Sequence, residues 1–166
     1  MLSTTQLATF TAALFLSAAA CAQSPTSTDA PIPVQIAESK TAFLSNTCDL
    51  DYEDCRIAYN TTYQSLSTWG HYTLVDKPES ADLVLQVHLS IYDYVSHLQL
   101  SILDEHSHFT LWNINEWIDP NDFHSAATFQ AAANRVIKDL EVIAKPGATA
   151  GPTQLYPVPK LTKKHF

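Results

Sequence analysis

"ADLVLQVHLSIYDYVSHLQLSILD" occupies Ala81 to Asp104, and its apolar residues fall on every second position. Leu83, Leu85, Val87, Leu89 and Ile91 alternate with Gln86, His88, Ser90 and Tyr92. Leu98, Leu100 and Ile102 alternate with His97, Gln99 and Ser101. Successive side chains on a strand point to opposite faces, so a period of two marks two strands with one buried and one wetted face, the pattern of an antiparallel sheet. A tight turn near Asp93 to Ser96 would pair Tyr92 with His97, Ser90 with Gln99 and His88 with Ser101. Polar side chains then meet polar ones, as a one-faced sheet requires.

Working outward, "FTLWNINEWI" (Phe109 to Ile118) follows a turn at "DEHSH" and reads as a further strand, apolar on both sides. A three-residue turn at Glu105 to Ser107 would set Leu100 opposite Trp112 and Leu98 opposite Ile114. Trp112 and Ile114 would then face the core. Leu103, Phe109, Leu111 and Trp117 would lie on the wet face beside Tyr92 and His97, and a contiguous apolar patch there would be a contact site. Pro120 and Asp122 open a helix whose stripe is Phe129, Ala133, Val136, Leu140 and Ile143, ended by Lys145-Pro146-Gly147. Upstream, "KTAFLS" (Lys40 to Ser45) and "HYTLVD" (His71 to Asp76) are short strands. Between them a helix capped by Asp51 or Asp54 runs through Trp69, with Tyr59, Tyr63 and Leu66 at helical spacing. Gly70 sits where a left-handed C-terminal cap belongs. The order β-α-β-β-β-β-α is an α+β fold: a two-layer arrangement, with a mostly antiparallel sheet and two helices on one face. The first crossover should be right-handed.

The chain has 166 residues, 46% of them hydrophobic. The domain is expected over residues 34–144, about 110 residues, enough to fold alone. Residues 145–166 form a Pro-rich tail expected to be disordered, and 23–33, "QSPTSTDAPIP", a flexible leader. A formal net charge of −8 with scattered basic residues argues against a nucleic-acid partner. Residues 1–22 carry no charge and end in "AAACA". The run is short for a membrane span and reads as a signal peptide cleaved before Gln23. In the alternative it is a lipoprotein signal with Cys21 acylated, the one route to a membrane. Either way the protein is exported, periplasmic or outer-membrane-associated.

Export gives "LSNTCDLDYEDCRIAYN" (Leu44 to Asn60) its meaning. With Cys21 removed or acylated, Cys48 and Cys55 remain, and a pair in an oxidising compartment favours a disulfide. Closing this loop stabilises by about 2.5 kcal/mol in the chain-entropy account. The spacing is wider than that of C-x-x-C redox pairs. The acidic loop lacks the glycine and distal glutamate of a calcium loop.

Three stretches resemble a type of exported bacterial envelope domain, often a lipoprotein, similar in plan to the curli-secretion-lipoprotein and TolB amino-terminal folds. "LSTWGHYTLVDKPESADLVLQV" resembles its helix, glycine, strand and "AD" strand. "LQLSILDEHSHFTLW" resembles its hairpin, and the last amphipathic helix agrees. The resemblance implies an envelope accessory role through binding, to an envelope protein or to a second copy, and it supplies no catalytic residues.

The residues themselves argue the same way. Of three glycines, only Gly70 lies within the domain, so phosphate cradles and nucleophile elbows are missing. No cofactor or metal is expected. The counter-argument is histidine, with seven in the chain. His106 and His108 could ligate a metal from a hairpin tip, and His88 and His97 share the wet face with Ser101, but no carboxylate joins them in those strands. The alternative reading is a small histidine-dependent hydrolase or a metal- or small-ligand-binding protein. Asn60-Thr61-Thr62 matches a glycosylation acceptor, but it falls in mid-helix and is expected to be silent.

Overall fold

The computed structural model describes residues 31–48, 53–92, 95–118 and 125–148. The expected signal peptide, most of the leader, the acylation candidate Cys21 and most of the Pro-rich tail lie outside the described residues.

Five strands form one sheet: β1 (Thr41–Asn46), β2 (Thr73–Leu74), β3 (Leu83–Tyr92), β4 (Val95–Asp104) and β5 (Thr110–Ile118). Their order is β2-β1-β3-β4-β5. β1 pairs in parallel with β2 and β3, whereas β3, β4 and β5 are antiparallel. Helices α2 (Glu53–Trp69) and α3 (Ala126–Ile143) pack side by side on one face, α2 over β1 and β3, α3 over β4 and β5. The fold is the α+β arrangement expected, with one addition. A five-residue helix, α1 (Val34–Glu38), precedes β1. Long-range packing makes it, since buried Tyr72 donates its phenol to Ile36 O at 2.6 Å.

The core is the alternate set of the central strands. Leu83, Leu85, Val87, Leu98, Leu100, Ile102, Ile114 and Ile118 are buried against the helices. All five residues of the α3 stripe are fully buried. In α2 the stripe is different from the one expected. Leu66 is buried and Tyr59 half-buried, its hydroxyl reaching Leu44 O, but Tyr63 is exposed. Small residues Ala58, Thr61, Thr62 and Ser65 form the inner face instead. Thr61 and Thr62 donate to the carbonyls of Ile57 and Ala58, so their hydroxyls are satisfied in the interior. Gly70 takes φ +67 as the left-handed cap, its N–H on Leu66 O. β2 keeps only two residues of the expected strand.

Both hairpin registers depart from expectation by two residues. In the first, Tyr92 pairs with Val95, Ser90 with His97 and His88 with Gln99. A slip of two preserves every face, which is why alternation alone could not detect it. In the second, Leu100 pairs with Ile114 and Ile102 with Trp112, but Leu103 pairs with Thr110. Two irregularities add up here. The loop has four residues, Glu105 to His108, closed by the Asp104 N–H on Phe109 O at 3.1 Å, with His108 at φ +59. A bulge at Leu111 supplies the second step.

Candidate binding surfaces

The hairpin geometry redraws the expected contact patch. Trp112 and Ile114 face the core as expected, Ile114 fully buried. Leu111, expected on the wet face, is the extra residue of the bulge and packs half-buried against the core. Phe109 is 73% exposed and stands across from Asp104, which is on the alternate set of Leu83 and Ile102. Leu103 and Trp117 keep their expected side, Trp117 opposite His97. Eight residues separate Phe109 from Trp117, about 27 Å along a strand. Phe109, Leu111 and Trp117 therefore form no single patch, because the extra loop residue turns Phe109 to the other side and the bulge restores the expected facing only beyond Leu111.

What the helix-free face presents is mainly polar. Ser101 donates to Asn113 Oδ1 at 2.7 Å, and Gln99 Nε2 donates to the same oxygen at 3.3 Å. Half-exposed His88, Asn115 and Trp117 share the face with half-exposed Val84 and Leu103. The Trp117 Nε1 is buried with no acceptor among the described residues. Ser101 is bonded to an amide, which cannot take its proton, and His88 Nδ1 lies 3.1 Å from Thr47 O, tied to the chain leaving β1. The histidine–serine pairing a hydrolase needs is not assembled by these contacts. His106 is exposed and lies 3.3 Å from Glu105. Among the described residues, no three His, Cys, Asp or Glu side chains group as a metal site, and no helix is long and apolar enough to cross a membrane.

Cys48 is half-buried, and Cys55 is buried in the first turn of α2. Residues 49–52 between them lie outside the described set, as do His124 and His165. At the head of α2, Glu53 pairs with Arg56, whose guanidinium holds the Glu53 carboxyl below its usual range. Asn60 is exposed in mid-helix, while the acceptor triplet's Thr62 is buried and bonded inward.

Two aspartates that looked like motif residues prove structural. Asp82, of the "AD" pair, accepts the N–H groups of Lys40 and Thr41 at 2.7 and 2.9 Å. Its own N–H meets Thr41 Oγ1. These donors, Lys40 N–H first, hold its carboxyl below the usual range. Asp104 accepts Ser107 N–H at 2.7 Å and shapes the hairpin loop. At the opposite side of the sheet, burial raises the Glu116 carboxyl, opposed by Arg135, which donates to Glu116 at 2.8 Å and to Trp117 O at 2.8 Å.

Sequence reasoning missed a cluster on the outside of the helix layer. Ser65 of α2 and Gln130 and Asn134 of α3 are joined by hydrogen bonds of 2.9–3.0 Å. They lie in a groove of about 630 Å³ between the two helices, with Gln64, Trp69 and Glu141 along it. The only sequence signal was polarity on helix positions beside the apolar stripe, which looks the same as ordinary solvation.

No protein-family model and no curated protein matches the chain. Several solved structures are similar to it at low identity. A PelC dodecamer from Paraburkholderia phytofirmans aligns at 15% identity and a TM-score of 0.45, over 61% of this chain and 87% of that one. The LpoB C-terminal domain from Escherichia coli aligns at 14% identity and 0.40, over 49% and 84%. TolB from Acinetobacter baumannii aligns at 11% identity and 0.41, over 63% of this chain and 29% of that one. Likeness at this level carries nothing about activity, partner or assembly.

Proposed function

We propose that this chain is an exported accessory module of the bacterial cell envelope that works by binding a protein, with no reaction of its own. The observation that carries the reading is the helix-free side of β3, β4 and β5. Strands of ten, ten and nine residues present a face on which Gln99, Ser101 and Asn113 are bonded to one another, the Ser101 hydroxyl donating to an amide. Such a face is organised for contact and carries no activated nucleophile. Trp117 supplies its aromatic anchor, the residue type that dominates interface energetics.

A photo-crosslinking amino acid placed at Ser101 or Asn115 tests this in the producing cell's envelope fraction. The reading expects one discrete adduct from these positions, with an envelope protein or a second copy, and none from Lys138 on the helix layer. Adducts of the same pattern from Lys138, or no adduct from either sheet position, would reject it. Export is part of the same proposal: a mature N-terminus at Gln23, or at acylated Cys21, is what sequencing and mass spectrometry should find. A Cys48–Cys55 disulfide would follow from that compartment.

A further inference from the structure

The groove between α2 and α3 lies on the side of the molecule away from the proposed protein-binding face, and it has a chemistry of its own. Its polar groups are amides and hydroxyls, with Glu141 the one charged side chain among the described residues that line it. The hydrogen bonds fix which way each amide points. Ser65 donates to Asn134 Oδ1, and Gln130 Nε2 donates to both Ser65 Oγ and Asn134 Oδ1. Both N–H bonds of Gln130 are thereby used, leaving its Oε1 as an acceptor. The Asn134 oxygen is doubly occupied, leaving its Nδ2 with two N–H donors. Ser65 is buried beneath them, so the cluster has a fixed floor. Along the groove, the Trp69 ring is held by a stack on His71 at 4.8 Å and an edge contact with Tyr72 at 5.4 Å.

We infer that this groove binds a short, neutral oligosaccharide. Each sugar hydroxyl both donates and accepts, which suits an oriented N–H pair beside an oriented carbonyl oxygen. The apolar face of a pyranose ring suits a fixed indole. A carboxylate at the rim accepts from further hydroxyls. An anionic ligand has no cation to meet among these groups. An apolar ligand would strip water from the polar side chains of the groove without replacing their bonds. The volume falls within the range of about 300–1,000 Å³ usual for small-ligand sites.

Saturation-transfer NMR with chitotriose, cellotriose and maltotriose, each at millimolar concentration, tests the inference on the intact chain. At least one should receive saturation. The same sugar should shift the backbone amides of Gln64, Trp69, Gln130 and Asn134 in a nitrogen–proton correlation spectrum. Asn134→Asp keeps the acceptor oxygen that Ser65 and Gln130 use and removes the two free N–H donors. It should weaken binding about tenfold or more while the spectrum stays folded. No transfer to any of the three sugars, shifts clustered away from these residues, or undiminished binding by a folded Asn134→Asp would each overturn it. Should that variant lose its fold, Gln130→Ala takes its place: weakened binding supports the inference, and undiminished binding overturns it. Crosslinking from the sheet face is unaffected by any of these outcomes.

Discussion

Where β1 meets β3, one carboxylate sets the register; where β4 meets β5, two irregularities of the chain do. On the parallel side, Asp82 takes two backbone N–H groups at the start of β1 and returns its own N–H to Thr41. The attachment is local, charge-assisted and short. On the antiparallel side, a four-residue loop and a bulge combine, and Arg135 then ties α3 to the last turn of the strand through Glu116 and Trp117 O. There the carboxylate is disfavoured by burial, whereas Asp82 is favoured by its donors. The two sides of one sheet should therefore answer differently to mutation and to acid.

The largest effect is expected on the parallel side, at the cysteine pair that links β1 to α2. If the disulfide forms in the exported protein, Cys55→Ser lowers stability by about 2–4 kcal/mol in oxidising buffer and far less in reductant. Denaturant unfolding under both conditions measures this, and a mass lower by two hydrogens in unreduced wild type confirms the bond. Next comes Asp82→Ala, which removes the acceptor of two N–H groups at a partly solvated site and should cost about 2 kcal/mol at neutral pH. Its folded pKa is depressed, so this contribution is present above the ordinary aspartate range and is lost as pH falls through the folded value. The gap between wild type and variant in urea unfolding should therefore close in acid.

Glu116→Gln should change neutral-pH stability by less than about 1 kcal/mol, because loss of the Arg135 pair offsets relief of burial. The pH sign is opposite to that of Asp82. A carboxyl raised on folding adds stability that is full below its unfolded pKa and is lost as pH rises through the folded value. Relative to Glu116→Gln, wild type should gain as the solution is acidified. The smallest effect is Phe109→Ser, which should leave stability within about 0.5 kcal/mol of wild type in urea unfolding, because the side chain is exposed at the loop.

The same contrast explains what could be read from the sequence. Alternation over Leu83 to Leu89 and Leu98 to Ile102, the stripe from Phe129 to Ile143 and the cap at Gly70 were all legible. In each, local spacing and one-sided burial point to the same answer. The helix Val34–Glu38 was not, since Tyr72, far along the chain, holds it. Nor was the position of Leu111, because a bulge carries no mark in a strand that is apolar on both sides. The α2–α3 cluster joins Ser65 to Gln130 and Asn134 across the two helices, and nothing in either helix announces the other.

The extra loop residue and the bulged Leu111 also make the loop and the strand depend on each other. Each displaces β5 by one position against β4, and either alone would exchange inner and outer faces downstream. Shortening the loop by one residue, or removing Leu111, should each turn Ile114 and Ile118 toward water. Removing both should restore the core facing of Ile114. Insertions and deletions in this hairpin are thus subject to a parity rule: changes are tolerated in pairs, one in the loop and one in the strand.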